Sequence, residues 1–174
     1  MKFLCLIMIT MLISCNTNEP RSPLNYTKSD NSTIISQIII EQNKKIDNYI
    51  SKNLENNYLN SKKGFFYFFQ KTNNLSAKKP EFGDIIMFNY SVKDLENNLI
   101  YEEEFIGDQS YIMGKQEIIT GLREALQLLK NGEIATFIFP SYKAYGIYGD
   151  NNKIPPNTAI ICTIKVKSIN SNQN

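Results

Sequence analysis

Apolar residues open this chain as a block and return only later at regular intervals. Lys2 precedes the run Phe3 to Ile13, interrupted at Thr10 and followed by Ser14-Cys15. Residues 16–31 are rich in Asn, Ser, Thr and Pro and hold too little apolar surface to build a core. From Thr33 to Tyr58 there is neither Gly nor Pro, and Ile35, Ile38, Ile39, Ile46, Tyr49, Ile50 and Leu54 recur at helical intervals. That spacing predicts a helix of several turns. Gly64-Phe65-Phe66-Tyr67-Phe68-Phe69-Gln70 predicts a strand buried on both faces, with Lys71 to Lys79 a polar loop behind it.

The second half alternates more regularly. Turn residues at Pro80 to Asp84 lead to Ile86, Phe88, Tyr90 and Val92, which share one face of a strand. A turn at Asp94 to Asn98 precedes Leu99-Ile100-Tyr101-Glu102-Glu103. Met113 to Leu122 places Gly114 and Gly121 around a polar segment and the pair Ile118-Ile119. Leu122, Ala125, Leu126 and Leu129 then follow the i, i+3, i+4, i+7 rule of a short amphipathic helix, and Gly132 suits a left-handed cap behind it. The amides of Ile118 and Ile119 fall at the helix start, where N–H groups lack internal partners and can hold a carbonyl. Glu133 to Phe139 and Ile160 to Lys167 predict strands, separated by the loop Ser141 to Pro156. A loop of that length is uncommon unless it is functional.

Composition removes several chemistries. The charge is nearly balanced at +2, with 19 basic and 17 acidic residues, so no nucleic-acid partner is implied. Histidine is absent, and Cys5, Cys15 and Cys162 are too few and too scattered for a zinc site. No metal and no cofactor is expected. Glu102, Glu103 and Glu104 could suggest paired carboxylates for hydrolysis, but three adjacent acids more simply form a solvated face.

The apolar block is too short to span a bilayer, which takes about 20 residues, and suits a signal-peptide core. Its end, Leu12-Ile13-Ser14-Cys15, resembles the bacterial lipobox. On that reading residues 1–14 are a signal peptide and Cys15 becomes the lipidated start of the mature chain. Residues 15–31 are then a flexible tether, 32–63 a helical extension and 64–170 the main domain. The alternatives are an ordinary signal peptide or a buried segment that ends in cysteine. Cys162 would be left without a disulfide partner.

The stretch Gly114-Lys115-Gln116-Glu117-Ile118-Ile119-Thr120-Gly121, followed by Ala144-Tyr145-Gly146 and Ile154-Pro155-Pro156, resembles the FKBP-type peptidyl-prolyl isomerases. The resemblance runs from about Phe82 to Ile169. It implies an α+β fold, a curved antiparallel sheet wrapped on a short helix, here with an amino-terminal helical extension. It also implies that Tyr90 walls a proline pocket, that the Ile119 N–H and the Tyr145 hydroxyl anchor substrate carbonyls, and that Ile100, Tyr101, Glu117, Ile118, Leu122, Ile154 and Cys162 complete the binding surface. The chemistry is rotation about an amide whose C–N bond has partial double-bond character. A site accelerates it by binding the twisted amide better than either planar form, which an apolar, water-poor cleft favours.

The sequence departs from the family pattern at four pocket positions. Ile100 and Tyr101 stand where a phenylalanine and an aspartate are usual, Leu122 replaces a common tryptophan, and Cys162 replaces an aromatic residue. The expectations are a weaker or narrower isomerase or, alternatively, an inactive binding module. The order of signal, tether, helix and domain resembles the gliding-motility-associated FKBP-type lipoproteins. It implies proline-containing polypeptide clients in the bacterial envelope, while the lipobox implies a periplasm-facing lipid anchor on Cys15 and the apolar stripe of the extra helix suits either docking on its own domain or pairing in a homodimer.

Overall fold

A computed structural model describes residues 28–73 and 78–171. The expected signal peptide, Cys15 and most of the expected tether lie outside these residues. The first element, α1 (Lys28–Lys52), begins inside the stretch 15–31 assigned to the tether. It ends earlier than the apolar stripe suggested: the Asn53 side chain donates to the Tyr49 carbonyl at 2.7 Å, and Leu54 is left 79% exposed. A short polar side chain that offers the last turn a local partner competes with further helix. Among the described residues no helix is long and apolar enough to cross a membrane.

Seven strands form one antiparallel sheet. They are β1 (Leu59–Asn60), β2 (Phe66–Lys71), β3 (Ile85–Lys93), β4 (Leu99–Tyr101), β5 (Gln109–Ile112), β6 (Ile134–Phe139) and β7 (Ile160–Asn170), in the order β1-β2-β6-β7-β3-β4, with β5 also on β3. Two helices interrupt them, α2 (Glu103–Ile106) between β4 and β5 and α3 (Thr120–Leu126) between β5 and β6. Fold class and topology are α+β, as the resemblance implied. Strands β4 and β5 divide one flank of β3: Val92 faces Tyr101 at one end, and Ile85 to Phe88 face Ile112 to Gln109 at the other. The three acids are not on a strand or loop edge. Glu102 caps α2, and Glu103 and Glu104 occupy its first turn, where negative charge suits the positive end of the helix dipole.

Alternation in the strands sorts side chains into two cores. Ile86, Phe88, Val92, Ala135, Phe137, Phe139, Ile160, Cys162, Ile164 and Val166 meet the apolar face of α3, where Leu122, Ala125 and Leu126 are buried with Leu129 just beyond. On the opposite face Ile138 and Ile161 meet Ile46 of α1, with Tyr49 and Ile50 beside it. The helix stripe therefore docks on its own sheet over this half, while Ile34, Ile35 and Ile40 are about half exposed, at 54%, 50% and 54%. Both faces of β2 are covered, each only partly: Tyr67 and Phe69 pack on the main core and Phe66 on the α1 side.

Gly132 has φ +77° but does not cap α3, which passes into tight turns after Leu126; its N–H instead donates to Val166 O at 3.1 Å. Turn formation before β6 takes the place of a helix cap because Glu133, 4% exposed, folds back. Its carboxylate accepts the amides of Lys130 at 2.8 Å and Asn73 at 3.0 Å.

Candidate active site

One row of side chains crosses the main-core face. Phe137 pairs with Cys162, Cys162 with Val92, and Val92 with Tyr101, while Tyr90 lies in the neighbouring row opposite Ile164. Tyr90 stacks on Phe88 with ring centroids 6.0 Å apart. Because the side-chain period along a strand is two, the same alternation that buries Phe88 and Val92 aims Tyr90 at this surface.

The entry to α3 closes over that row, and its two glycines explain the sequence motif. Gly114 has φ +75°, and a Cβ there would come within 2.6 Å of the Phe82 ring. Gly121 is helical, but a Cβ on it would sit 2.7 Å from the Phe139 ring and 2.8 Å from the Lys143 carbonyl oxygen. Only glycine lets α3 approach β6 and the long loop this closely. Between them Ile119 caps α3 with φ −53° and ψ 138°, and its carbonyl takes the Arg123 N–H at 3.1 Å. The Ile119 N–H itself has no hydrogen-bond acceptor among the described residues.

The loop after β6 has structure of its own. It opens with a single 3-10 turn, Ser141–Lys143, and is fastened on several sides. Lys143 Nζ meets Glu124 Oε2 of α3 at 2.8 Å, with both side chains mostly covered. The Tyr142 hydroxyl donates to Gly64 O at 3.1 Å. Farther along, Asp150 accepts a hydrogen bond from the Tyr101 hydroxyl and from the amides of Asn152 and Ile154 at 2.9 and 2.8 Å. Lys153 donates to Ile100 O at 3.3 Å and stands 5.2 Å from the Tyr101 ring centroid and 5.4 Å from that of Phe105. Tyr145, between these fastenings, packs on the main core, and its hydroxyl has no hydrogen-bond partner among the described residues.

The ionisable groups here act on one another. Burial, then the proximity of Tyr90, Cys162, Asp150 and Tyr101, pushes Tyr145 far above the ordinary tyrosine value. Burial and the neighbouring Cys162 and Tyr101 raise Tyr90. Tyr90, Tyr101, Tyr145 and Cys162 belong to one core cluster, and Asp150 joins them through its hydrogen bond from Tyr101. Burial also works against the charge on Asp150, but hydrogen bonds from Tyr101, Ile154 and Asn152 outweigh it and hold the carboxyl below its usual range. Tyr101 moves the opposite way because its hydroxyl donates a hydrogen bond to that carboxylate, which favours the protonated phenol. Burial alone lifts the Cys162 thiol well out of the physiological range, and no base is hydrogen-bonded to it.

Of the residues singled out in the sequence, Tyr90, Ile100, Tyr101, Ile118, Ile119, Leu122, Tyr145, Ile154 and Cys162 all join the main core cluster around this surface. Glu117 does not; it is exposed on the approach to α3. The sequence suggested that the site lacks a carboxylate once Tyr101 replaces the usual aspartate. The structure corrects this, because Asp150 reaches in from the loop and takes the Tyr101 hydroxyl. Lys153 and Phe105 were also missed; Phe105 stacks on Tyr101 with centroids 6.0 Å apart. The hollows of about 150, 260 and 440 Å³ border α1 and are lined by none of Tyr90, Ile119 and Tyr145. Among the described residues no cluster of His, Cys, Asp and Glu is placed to hold a metal ion.

A sheet folded over a short helix, with Tyr90, Ile119 and Tyr145 packed on the core between them, defines an FKBP-like domain. A family model for the FKBP-type peptidyl-prolyl cis-trans isomerases matches residues 76–167, and the chain belongs to that family. Among curated proteins it is 30% identical over 98 residues to the probable FKBP-type peptidyl-prolyl cis-trans isomerase FkpA of Neisseria meningitidis, covering 56% of this chain and 36% of that protein. It is 32% identical over 59 residues to FK506-binding protein 2A of Rhizopus delemar, covering 34% of this chain and 35% of the relative. The chain thus spans about a third of the length of the curated relatives it matches. Two solved structures share the fold. They are a peptidyl-prolyl cis-trans isomerase of Pseudomonas syringae, with TM-score 0.63, 16% identity and 78% of this chain and 96% of that one covered, and FkpA from Escherichia coli, with TM-score 0.61, 19% identity and coverage of 82% and 66%.

Proposed function

We propose that this chain catalyses cis–trans isomerisation of X-Pro peptide bonds. The observation that carries the reading is that two donors without protein partners, the Ile119 N–H and the Tyr145 hydroxyl, belong to partly buried residues packed with Tyr90 on one apolar cluster, whose interior includes the buried Leu122, Ile154 and Cys162. The uncatalysed barrier is about 18–20 kcal/mol, most of it lost amide conjugation. A dry surface disfavours the polar planar amide, and donors held to the flanking carbonyls fix the chain on either side of the rotating bond. No proton or electron has to move. Burial keeps Tyr145 protonated and therefore a donor at any ordinary pH.

In its setting, the reading extends to envelope or secreted polypeptides as clients, with a lipid on Cys15 holding the domain at a membrane on the periplasmic side. The gliding-motility machinery is one such set of clients. The apolar block ending in Leu12-Ile13-Ser14-Cys15 and the polar stretch behind it support the anchor. Incorporation of labelled palmitate, abolished by Cys15→Ala, tests it.

A second reading, a binding or chaperone-like module with little catalysis, is favoured by one observation. Tyr101 is tied across to Asp150 of the loop, on the side where the family pattern has a short carboxylate. Proline-limited isomerisation of a chromogenic tetrapeptide separates the two. Catalysis predicts a rate well above the spontaneous one that falls on Tyr90→Ala. A protein with no rate that still suppresses aggregation of an unfolded client supports the module.

A further inference from the structure

Gln42 is a glutamine buried in a place that has no need of one for helix formation. It lies on the face of α1 turned to the domain and is 6% exposed. Its side chain reaches the two ends of the long loop. The Ser141 N–H donates to its Oε1 at 2.9 Å, and its Nε2 donates to Ser141 Oγ at 2.8 Å and to the Asn157 carbonyl at 2.8 Å. Both Nε2 protons and one lone pair of Oε1 are used, so the amide is close to saturated.

The two residues it holds in turn clamp the residue after Tyr145. Gly146 N–H donates to Ser141 O at 2.8 Å, and Asn157 N–H donates to Gly146 O at 2.8 Å. Gly146 and Asn157 both have left-handed backbones, φ +63° and +54°. For Asn157 that conformation is uncommon and persists only where its surroundings fix it. Gln42, Ser141, Asn157 and Gly146 therefore form a closed frame, with Tyr145 attached to one corner. The other fastenings of the loop, to Gly64, Glu124 and Tyr101, act farther from that corner along the chain or on neighbouring side chains.

We propose that Gln42 is a positioning residue for the reaction: through Ser141 and Asn157 it sets the height and angle of the Tyr145 hydroxyl, so that α1 is a working part of the active site. This rests on the isomerase reading above. A misplacement of about 1 Å in a positioned group can cost roughly a hundredfold in rate. Loosening one corner of a frame fastened elsewhere should cost less, about tenfold.

The test uses the whole chain, purified in detergent, and assays prolyl isomerisation well below the melting temperature. Gln42→Ala should lower kcat/KM about tenfold, mainly through kcat, and should speed hydrogen exchange at the Gly146 and Asn157 amides. Gln42→Glu keeps an acceptor for the Ser141 N–H and should recover part of the rate. Tyr145→Phe should cost much less in the Gln42→Ala background than in the wild type, since a misplaced hydroxyl has little left to lose. A purely structural role would lower the melting temperature and leave the two substitutions additive, which overturns the proposal. So does unchanged exchange at Gly146 and Asn157. If Gln42→Ala fails to fold, Ser141→Ala removes one bond of the frame and is held to the same outcomes. A wild type without catalysis refutes the isomerase reading, and the exchange of the two amides still decides whether Gln42 sets the loop.

Discussion

Removing a single oxygen from Tyr145 separates binding from scaffolding at this site. The ring is packed against the main core and stays in place in Tyr145→Phe, while the hydroxyl has no hydrogen-bond partner among the described residues. Its loss therefore breaks no internal bond, and folding stability should stay within about 0.5 kcal/mol of the wild type. A hydrogen bond to a substrate carbonyl is worth a net ~0.5–1.5 kcal/mol. At 1.36 kcal/mol per factor of ten, kcat/KM should fall about two- to twelvefold. Peptide isomerisation rates and thermal melts on the same preparation provide both numbers. An unchanged kcat/KM would refute the donor role. A loss of rate that tracks a lowered melting temperature would show that the hydroxyl serves the fold instead.

Three further outcomes follow from the same geometry. Gly121→Ala should destabilise the domain by about 1–3 kcal/mol in denaturant titration, because the new methyl meets the Phe139 ring and the Lys143 carbonyl oxygen within 3 Å. Cys162, 1% exposed and with its thiol pKa raised by burial, should resist aqueous thiol reagents in the native state and react only on unfolding. The pH profile of kcat/KM should be flat from about pH 5 to 9, since the chain has no histidine. The Asp150 carboxyl is lowered in the folded state, so its contribution is complete above the ordinary carboxylate value of about 3.9 and is lost only as pH falls through the lower folded value. Tyr90 and Tyr145 are raised, so their contribution is complete below about 10 and is lost as pH rises toward their folded values.

What could be read from the sequence is what repeats locally. The two-residue alternation of Ile86 to Val92, of Ala135 to Phe139 and of Ile160 to Val166 named the main-core face directly, and Leu122, Ala125, Leu126 and Leu129 named the helix face that meets it. The two donors were legible only through a family resemblance, because nothing in the spacing of Ile119 or Tyr145 says that its donor lacks an internal partner. What stayed hidden is what joins distant segments. Asp150 reads as a loop acid until Tyr101 is found beside it, 49 positions away. Gln42 reads as a polar residue on a helix until Ser141, 99 positions on, is found bonded to it. Leu54 fitted the helical rhythm, but rhythm does not report that Asn53 ends the helix one step earlier.

The divided flank of β3 has a consequence for how this sheet meets an extended polypeptide. A long straight edge would offer its unpaired amides and carbonyls to any extended polypeptide, and the visitor would be added to the sheet and not released. Here β4 contributes only Leu99–Tyr101 and β5 only Gln109–Ile112, with the turn of α2 projecting between them, and at the opposite margin β1 is just Leu59–Asn60. An incoming strand finds nowhere to run for more than a few residues. The sheet thus gives an extended chain little edge on which to be stitched into a growing aggregate.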